Sequence, residues 1–203
     1  MTDTNAPTDR LSRQLAFSLE LDKLKTILRQ TLLTDGSRRE NDAEHSWHVA
    51  MMAVLLAEYA PAGADPLRAS RMLLFHDVVE IDAGDTFIHD EAGNQDKAAR
   101  EQAAADRLYG MLPADQGAEL RALWQEYEDR ATPTARFADA LDRLQPIMNN
   151  FATEGGTWKP HDVSADKVLK LVDRIRAGAP ALGDYAETLV HEAVRRGYLA
   201  PAR

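Results

Sequence analysis

The sequence predicts an all-α fold, and three observations lead to that prediction. Apolar residues recur at helical spacing along most of the chain, whereas no useful stretch alternates as a strand does. Helix caps and Pro or Gly breaks separate the periodic segments. Alanine is frequent and aromatic residues make up 6% of the 203 residues, which favours packed helices over a β-sandwich. The length suits one domain over residues 1–203, with the polar segment 1–8 disordered.

The first two helices are predicted from an apolar stripe and from a cap. A helix from about Asp9 to Leu33 follows from leucines at roughly helical spacing, namely Leu11, Leu15, Leu19, Leu21, Leu24 and Leu28. Residues 34–37 then form a loop. Asn41, followed three residues later by Glu44, is typical of a capping box, so a second helix is predicted from there to about Tyr59.

The remaining helices are delimited by proline and glycine. A third helix is predicted from Pro66, which favours the first helical position, to about residues 82–84. Residues 84–95 are a loop by composition. Further helices are expected at about 96–111, 114–130, 133–150, 164–177 and 181–197. Pro146 lies inside the helix 133–150 and is expected to kink or end it.

Composition and charge exclude several functional classes. The chain has no cysteine, so disulfides and thiolate metal sites are excluded, and any metal must bind His, Asp or Glu. A formal net charge of -9 argues against a nucleic-acid polymer as partner. The N-terminus lacks the apolar core of a signal peptide, and the longest apolar run, residues 49–57, is too short to cross a membrane. We therefore expect a cytoplasmic protein.

The most informative local feature is His76-Asp77, which lies between apolar residues on both sides. Burying a charged carboxylate is costly unless it is paired or binds a cation. A buried His–Asp hydrogen bond is one explanation, and a metal site is the other. Glu80 shares the predicted helix face of this pair, because it lies four residues after His76 and three after Asp77.

Two other helices contribute candidate ligands to the same site. His45 lies on the predicted inner face of the second helix, and Asp139 sits between two alanines in a later amphipathic helix. Asp142, one turn after Asp139, is an alternative ligand. Two imidazoles and two carboxylates suit a divalent first-row metal with positions open for water and substrate.

These segments resemble the H…HD…D signature of the HD-domain metal-dependent phosphohydrolase superfamily. The matching residues are 41–47 (NDAEHSW), 76–85 (HDVVEIDAGD) and 138–142 (ADALD), and they look most like the 5'-deoxynucleotidase branch. The resemblance implies a single HD-domain helical bundle. It also implies one divalent metal ion (Co, Mn, Fe, Ni, Zn or Mg) with these ligands, Asp139 being favoured over Asp142: His45, His76, Asp77 and Asp139.

The resemblance also implies an activity. The superfamily hydrolyses phosphate esters, and this branch releases phosphate from deoxynucleoside 5'-monophosphates. Glu80 matches the residue needed for catalysis, and Asp85 matches one that takes part in catalysis or holds the sugar. Arg29 is the nearest match to the phosphate-binding arginine, although Gln30 stands where the branch has Trp, and Arg38 also matches a family position. A homodimer and a small phosphorylated substrate are expected.

Other functions remain open at this point. Other HD enzymes are cyclic-nucleotide phosphodiesterases, nucleoside triphosphate hydrolases or alarmone hydrolases. Their two-metal versions usually need further histidines after the His-Asp segment, where this chain offers only His89, so a single ion is expected. A non-catalytic, metal-binding regulatory protein is a third possibility, against which the presence of Glu80 and Asp85 argues. Glu44 either closes the capping box or supports a ligand histidine.

Overall fold

Helices supply nearly all of the regular structure in this computed structural model, which describes residues 10–88 and 95–203. This confirms the all-α prediction, while the expectation for residues 1–8 lies outside the described residues. The α-helices are α1 (Arg10–Leu21), α2 (Asp42–Leu55), α3 (Pro66–Phe75), α4 (Glu80–Ala83), α5 (Lys97–Gly110), α6 (Ala114–Asp129), α7 (Pro133–Ala152), α8 (Ala165–Gly178) and α9 (Pro180–Arg195). Short 3-10 segments are Asp22–Thr26, Ala57–Tyr59 and His76–Val79.

The first helix is much shorter than the leucine stripe predicts. After the 3-10 segment the chain forms an antiparallel hairpin of β1 (Leu28–Leu32) and β2 (Arg39–Asn41), which the sequence analysis missed. The reversal is local, because Gly36 adopts a positive φ of 70° and its N–H donates to the carbonyl of Leu33. The prediction of a helix to Leu33 is therefore wrong, because the turn brings β1 and β2 together and they pair as strands.

The capping box predicted for α2 is present. The Asn41 side chain accepts a 2.9 Å hydrogen bond from the Glu44 N–H, and the Glu44 carboxylate accepts from the Asn41 N–H at 3.3 Å. The helix ends at Leu55 rather than Tyr59. Its inner face carries the fully buried His45 and Val49, so the cap fixes the direction in which His45 enters the core.

The third predicted helix is interrupted at the His-Asp pair. It ends at Phe75, and His76–Val79 winds as a tighter 3-10 segment before α4. Glycine ends α4, because Gly84 has a φ of 73° and donates its N–H to the Glu80 carbonyl. The 3-10 winding brings residues three apart onto one face, which places Asp77 and Glu80 on the same side.

The central helix is α7, which packs against α2, α3, α6, α8 and α9. Thr132 caps it by accepting a hydrogen bond from the Ala135 N–H. Pro146 does not end the helix, which continues to Ala152, although it removes the N–H that would bond to the Asp142 carbonyl.

The predicted boundaries of α5, α6, α8 and α9 agree with the structure to within two residues. Among the described residues, no helix is both long and apolar enough to span a membrane.

Candidate metal centre and active site

Three buried side chains from separate elements meet beside α7. His45 comes from α2, His76 from the 3-10 segment after α3, and Asp142 from α7. The His45 Nε2 atom lies 2.9 Å from Asp142 Oδ1, and the His76 Nε2 atom lies 3.6 Å from the same oxygen. One ligand atom from each residue falls within 4.8 Å of the others, which is the spacing that one metal ion needs.

The hydrogen bonds of His76 identify its free nitrogen. Its Nδ1 lies 2.8 Å from the carbonyl oxygen of Leu73, which only accepts, so Nδ1 carries the proton. The Nε2 lone pair then points at the cluster. This buried nitrogen has no hydrogen-bond partner among the described residues. An imidazole fixed by a backbone carbonyl with its other nitrogen unused is the usual state of a metal-binding histidine.

His45 is surrounded by carboxylates on both sides of its ring. Its Nδ1 lies 3.6 Å from Glu40, while its Nε2 faces Asp142. Burial and the nearby Arg29 lower the pKa of His45, but the carboxylates of Asp142, Glu40 and Asp77 outweigh them and raise it to about 9. Without a metal, a proton on His45 therefore supplies positive charge at the cluster.

Asp77 joins the cluster from the residue after His76. Its Oδ1 lies 3.1 Å from His76 Nε2, and its Oδ2 lies 3.9 Å from His45 Nε2. Burial raises the pKa of Asp77, but His76, Arg29 and His45 outweigh burial and lower it. An ionised carboxylate in this position fits the predicted role of metal ligand.

Asp139 does not reach the histidines, and the structure replaces it by Asp142 in the candidate set. The Asp139 carboxylate accepts a hydrogen bond from Arg174 of α8 and lies 3.5 Å from Arg143 Nε. An α-helix turns by about 100° per residue, so side chains three residues apart point in directions that differ by about 60°. Asp139 therefore faces α8, whereas Asp142 faces His45 and His76.

The orientation of Asp142 is fixed from α6 as well. The Tyr127 hydroxyl donates a 2.7 Å hydrogen bond to Asp142 Oδ2, leaving Oδ1 for the histidines. Burial raises the pKa of Asp142, but Arg143 and the histidines outweigh burial and hold it well below its usual range. Sequence reasoning missed Tyr127, because no motif marks a tyrosine whose hydroxyl supports a metal ligand on another helix.

The group of candidate metal ligands opens into a cavity of about 160 Å³. Arg29, Asp77, Glu80, Asp85 and Asp142 are among its polar lining residues. Apolar side chains also line it, among them Phe87, Ile147, Trp158 and Leu171. A cavity with charged groups near the cluster and apolar groups elsewhere suits a ligand that carries both an anionic group and a flat apolar one.

Glu80 and Asp85 both lie in this cavity, as the resemblance implies. Burial, followed by the repulsion of Asp77, raises the pKa of Glu80 well above its usual range. Burial likewise raises the pKa of Asp85. A carboxyl group whose pKa is raised by burial, beside a candidate metal centre, is a candidate for proton transfer.

The two candidate arginines lie in different places. Arg29, on β1 rather than on a helix, donates from Nη1 to Asp77 Oδ2 at 2.8 Å and lines the cavity. Arg38 is half-exposed and bonds through both terminal nitrogens to Glu44, at 2.9 and 2.6 Å. The structure therefore does not bring Arg38 to the cavity. Glu44 closes the capping box and pairs with Arg38, and the carboxylate nearest to His45 Nδ1 is that of Glu40, at 3.6 Å.

The other histidines have separate surroundings. His161 is exposed, but its ring centroid lies 4.6 Å from that of Phe87, which lines the cavity. His48 lies 3.3 Å from Gln145 Nε2, whose amide also donates to Glu40. His89 lies outside the described residues.

Comparison with known proteins relates this chain to a family. The model of the HD domain family matches residues 21–183. Human 5'-deoxynucleotidase HDDC2 is 29% identical over 154 residues, which cover 69% of this chain and 72% of the human protein. The 5'-deoxynucleotidase of Erwinia tasmaniensis is 32% identical over 136 residues, which cover 62% and 68%.

Solved structures show the same relationship. A predicted metal-dependent phosphohydrolase from Magnetospirillum magnetotacticum MS-1 is 68% identical, with a TM-score of 0.92 over 97% of this chain and 99% of that one. The PH0347 protein of Pyrococcus horikoshii has a TM-score of 0.59 at 19% identity, over 90% and 99% of the two chains, which is a likeness of fold alone.

Proposed function

Because this chain belongs to the HD domain family, we propose that it is a metal-dependent phosphohydrolase acting on (deoxy)nucleoside 5'-monophosphates. The observation that carries the proposal is the buried Nε2 of His76, which has no hydrogen-bond partner in residues 10–88 and 95–203 and faces Asp142 in a cavity that Arg29 and Glu80 also line. The names of the human and Erwinia relatives support a 5'-deoxynucleotide as substrate.

The metal would be held by two imidazoles and two carboxylates, from His45, His76, Asp77 and Asp142. These donors accept any of Co, Mn, Fe, Ni, Zn or Mg. When bound, a divalent cation supplies Lewis-acid polarisation of a phosphoryl oxygen and a water acidified towards neutral pH.

The protein side chains have distinct tasks in this proposal. Arg29 exchanges its hydrogen bond with Asp77 for one with a phosphate oxygen and offsets the charge that develops there. Glu80 moves a proton to or from the attacking water or the leaving 5'-oxygen. Asp85 holds the sugar or assists that transfer. The apolar wall that includes Trp158 excludes water beside the base.

We also propose that the chain is a single HD domain, acts in the cytoplasm and forms a homodimer. Exposed apolar side chains on α1 and α2 support a protein interface there, among them Leu15, Leu19, Trp47, Met51 and Leu55.

Phosphate release from deoxynucleoside and ribonucleoside 5'-monophosphates tests the function. Chelator-stripped protein is compared with protein given Co, Mn or Mg, and cyclic nucleotides and triphosphates are run in parallel. We expect metal-dependent release from monophosphates that Glu80→Gln removes and that the exposed control Glu119→Gln retains. No release from monophosphates with any metal would contradict the proposal. Turnover of only cyclic nucleotides or triphosphates would move the chain to another HD activity.

A further inference from the structure

We propose that Arg143 is a further substrate-binding residue, whose guanidinium binds the phosphate group of the substrate together with Arg29. This role rests on the proposed function, to which it adds a second phosphate-binding side chain from another element. Arg143 follows Asp142 on α7, whereas Arg29 lies on β1, and both line the same cavity. Arg143 therefore places a permanent positive charge beside a candidate metal ligand.

The guanidinium of Arg143 is poorly matched to the carboxylates around it. Its Nε atom lies 3.5 Å from Asp139 Oδ1, and its Nη1 atom lies 3.5 Å from Asp142 Oδ2. Both distances exceed the roughly 2.7–3.2 Å of an ordinary N–H···O hydrogen bond. The Nε atom is buried and has no hydrogen-bond partner in the part of the chain that the structure describes. A buried donor without an acceptor is costly, so its presence in a cavity wall favours a ligand that accepts from this side chain.

The neighbouring carboxylates are already engaged by other donors. Asp139 accepts a hydrogen bond from Arg174 on α8, and Asp142 Oδ2 accepts one from the Tyr127 hydroxyl at 2.7 Å. Neither carboxylate can turn towards Arg143 without weakening the contact that it already makes. The guanidinium of Arg143 is therefore available to an anion that enters the cavity.

Two other cationic side chains of the cavity differ from Arg143 in this respect. Arg29 Nη1 donates to Asp77 Oδ2 at 2.8 Å, and Lys97 Nζ lies 3.2 Å from Glu101 Oε1. Each of these two cations has a carboxylate of the protein at hydrogen-bonding distance. Because its own carboxylate neighbours are 3.5 Å away, Arg143 keeps more of its hydrogen-bonding capacity for a ligand.

A phosphate monoester suits these donors in both charge and shape. Such a group carries a charge of about −1.5 to −2 at neutral pH and has three strong acceptor oxygens. A guanidinium holds several N–H groups in one plane and binds phosphate through parallel hydrogen bonds. With Arg29 and a bound cation, Arg143 offers a partner to each of the three oxygens. Loss of Arg143 should therefore weaken the binding of phosphate itself, before any turnover.

Binding of inorganic phosphate tests this role without reference to turnover. Protein loaded with Mn²⁺, its metal content verified by elemental analysis, is titrated with phosphate in a calorimeter. We expect Arg143→Gln to raise the dissociation constant of phosphate about 10–100-fold, the usual effect of losing a charged hydrogen bond. Arg143→Lys should raise it less, because the charge remains while the planar fork is lost. The matched control is Arg174→Gln, which removes the guanidinium that bonds Asp139 from α8 and should bind phosphate as wild type does.

Either of two results in this titration would overturn the role. Arg143→Gln protein that binds phosphate as tightly as wild type would show that the guanidinium does not contact the ligand. Equal losses in Arg143→Gln and Arg174→Gln would show that both side chains act through Asp139 and the packing of α7 against α8.

Chemical modification of the wild-type protein covers the case in which the Arg143 variants do not fold. Phenylglyoxal reacts with arginine, and peptide mapping by mass spectrometry identifies each modified site. Phosphate should protect Arg143, but not Arg174, in the Mn²⁺-loaded protein, and equal modification of Arg143 with and without phosphate would overturn the role. Phosphate binding that depends on Arg143, in a protein that hydrolyses no nucleotide, would refute only the proposed function.

Discussion

The hydroxyl of Tyr127 donates a 2.7 Å hydrogen bond to the Asp142 carboxylate, which connects α6 with the candidate metal ligand on α7. Because Oδ2 is engaged in this way, Oδ1 is left pointing at His45 and His76. Partners of this kind orient a ligand and exclude rotamers that turn it away from the metal.

We expect Tyr127→Phe to lower metal affinity about 10–100-fold, the usual effect of losing a partner behind a metal ligand. Dissociation constants for Mn²⁺ or Co²⁺, from competition with a chelator, measure the effect. Tyr198→Phe is the control, since it removes a tyrosine hydroxyl that donates to Glu154 at 3.3 Å in the segment after α9, away from the ligands. Equal affinities in both variants would mean that Tyr127 does not orient Asp142.

Replacement of Asp142 should affect metal-dependent activity, whereas replacement of Asp139 should affect stability. Asp142→Asn is expected to reduce metal-dependent phosphate release by at least about 100-fold, more than loss of an outer partner costs. Asp139→Asn should retain metal and activity but lose about 1–3 kcal/mol of stability, because Arg174 and Arg143 keep less of their charge partner. Metal content and denaturant unfolding measure the two effects. Metal loss in the Asp139 variant alone would reverse our assignment.

Replacement of Arg29 by lysine should weaken substrate use while keeping the charge. We expect kcat/KM to fall about 10–100-fold, since one charge-assisted hydrogen bond contributes about 1.5–3 kcal/mol. Arg38→Lys is the control, because Arg38 pairs with Glu44 outside the cavity and should leave kcat/KM unchanged. A loss confined to the Arg38 variant would assign phosphate binding to that residue instead.

Acid stability should depend on Glu126, which accepts hydrogen bonds from Arg68 at 3.1 Å and Thr132 at 2.8 Å. Burial raises the pKa of Glu126, but the hydrogen bonds from Arg68 and Thr132 outweigh burial, so this pKa lies below the usual 4.5. A lowered pKa stabilises the fold above pH 4.5, and this stabilisation is lost as pH falls through the folded-state pKa.

Glu126→Gln should therefore lose about 0.5–1 kcal/mol at pH 7, the range for a partly exposed ion pair. Urea unfolding at neutral and acid pH should show that the difference from wild type shrinks in acid. Glu119→Gln, from the more exposed pair with Arg71, should change little at either pH. A difference that persists at low pH would exclude this titration as its cause.

The proposed homodimer predicts that charge on the outer face of α2 separates the subunits. Met51 and Leu55 are exposed by 52% and 77%, and Met51→Glu with Leu55→Glu should convert a dimer to a monomer in light scattering. Tyr185→Glu, on α9 and 50% exposed, should leave the mass unchanged. A wild-type monomer would contradict the dimer.

Local sequence signals were enough for most of the fold. Caps such as Asn41 with Glu44, and prolines at the first helical position such as Pro133, act within one turn of the chain, so their effect is visible in sequence. The leucine stripe of the first helix was misleading, because Leu11, Leu15 and Leu19 are exposed and the hairpin after Thr26 depends on pairing between segments.

The sequence by itself determined the helical class, the inward direction of His45 and the unusual burial of His76-Asp77. Only the tertiary structure favours Asp142 over Asp139 as a candidate ligand. Both lie on buried faces of α7, and the choice depends on Arg174 from α8 and on the histidines opposite. It also brought together Asp42, Asp77 and Glu80, because the 3-10 segment and the start of α2 meet only after packing. Periodicity reports which residues are buried, whereas the partners of a buried charge are set by the packing of distant elements.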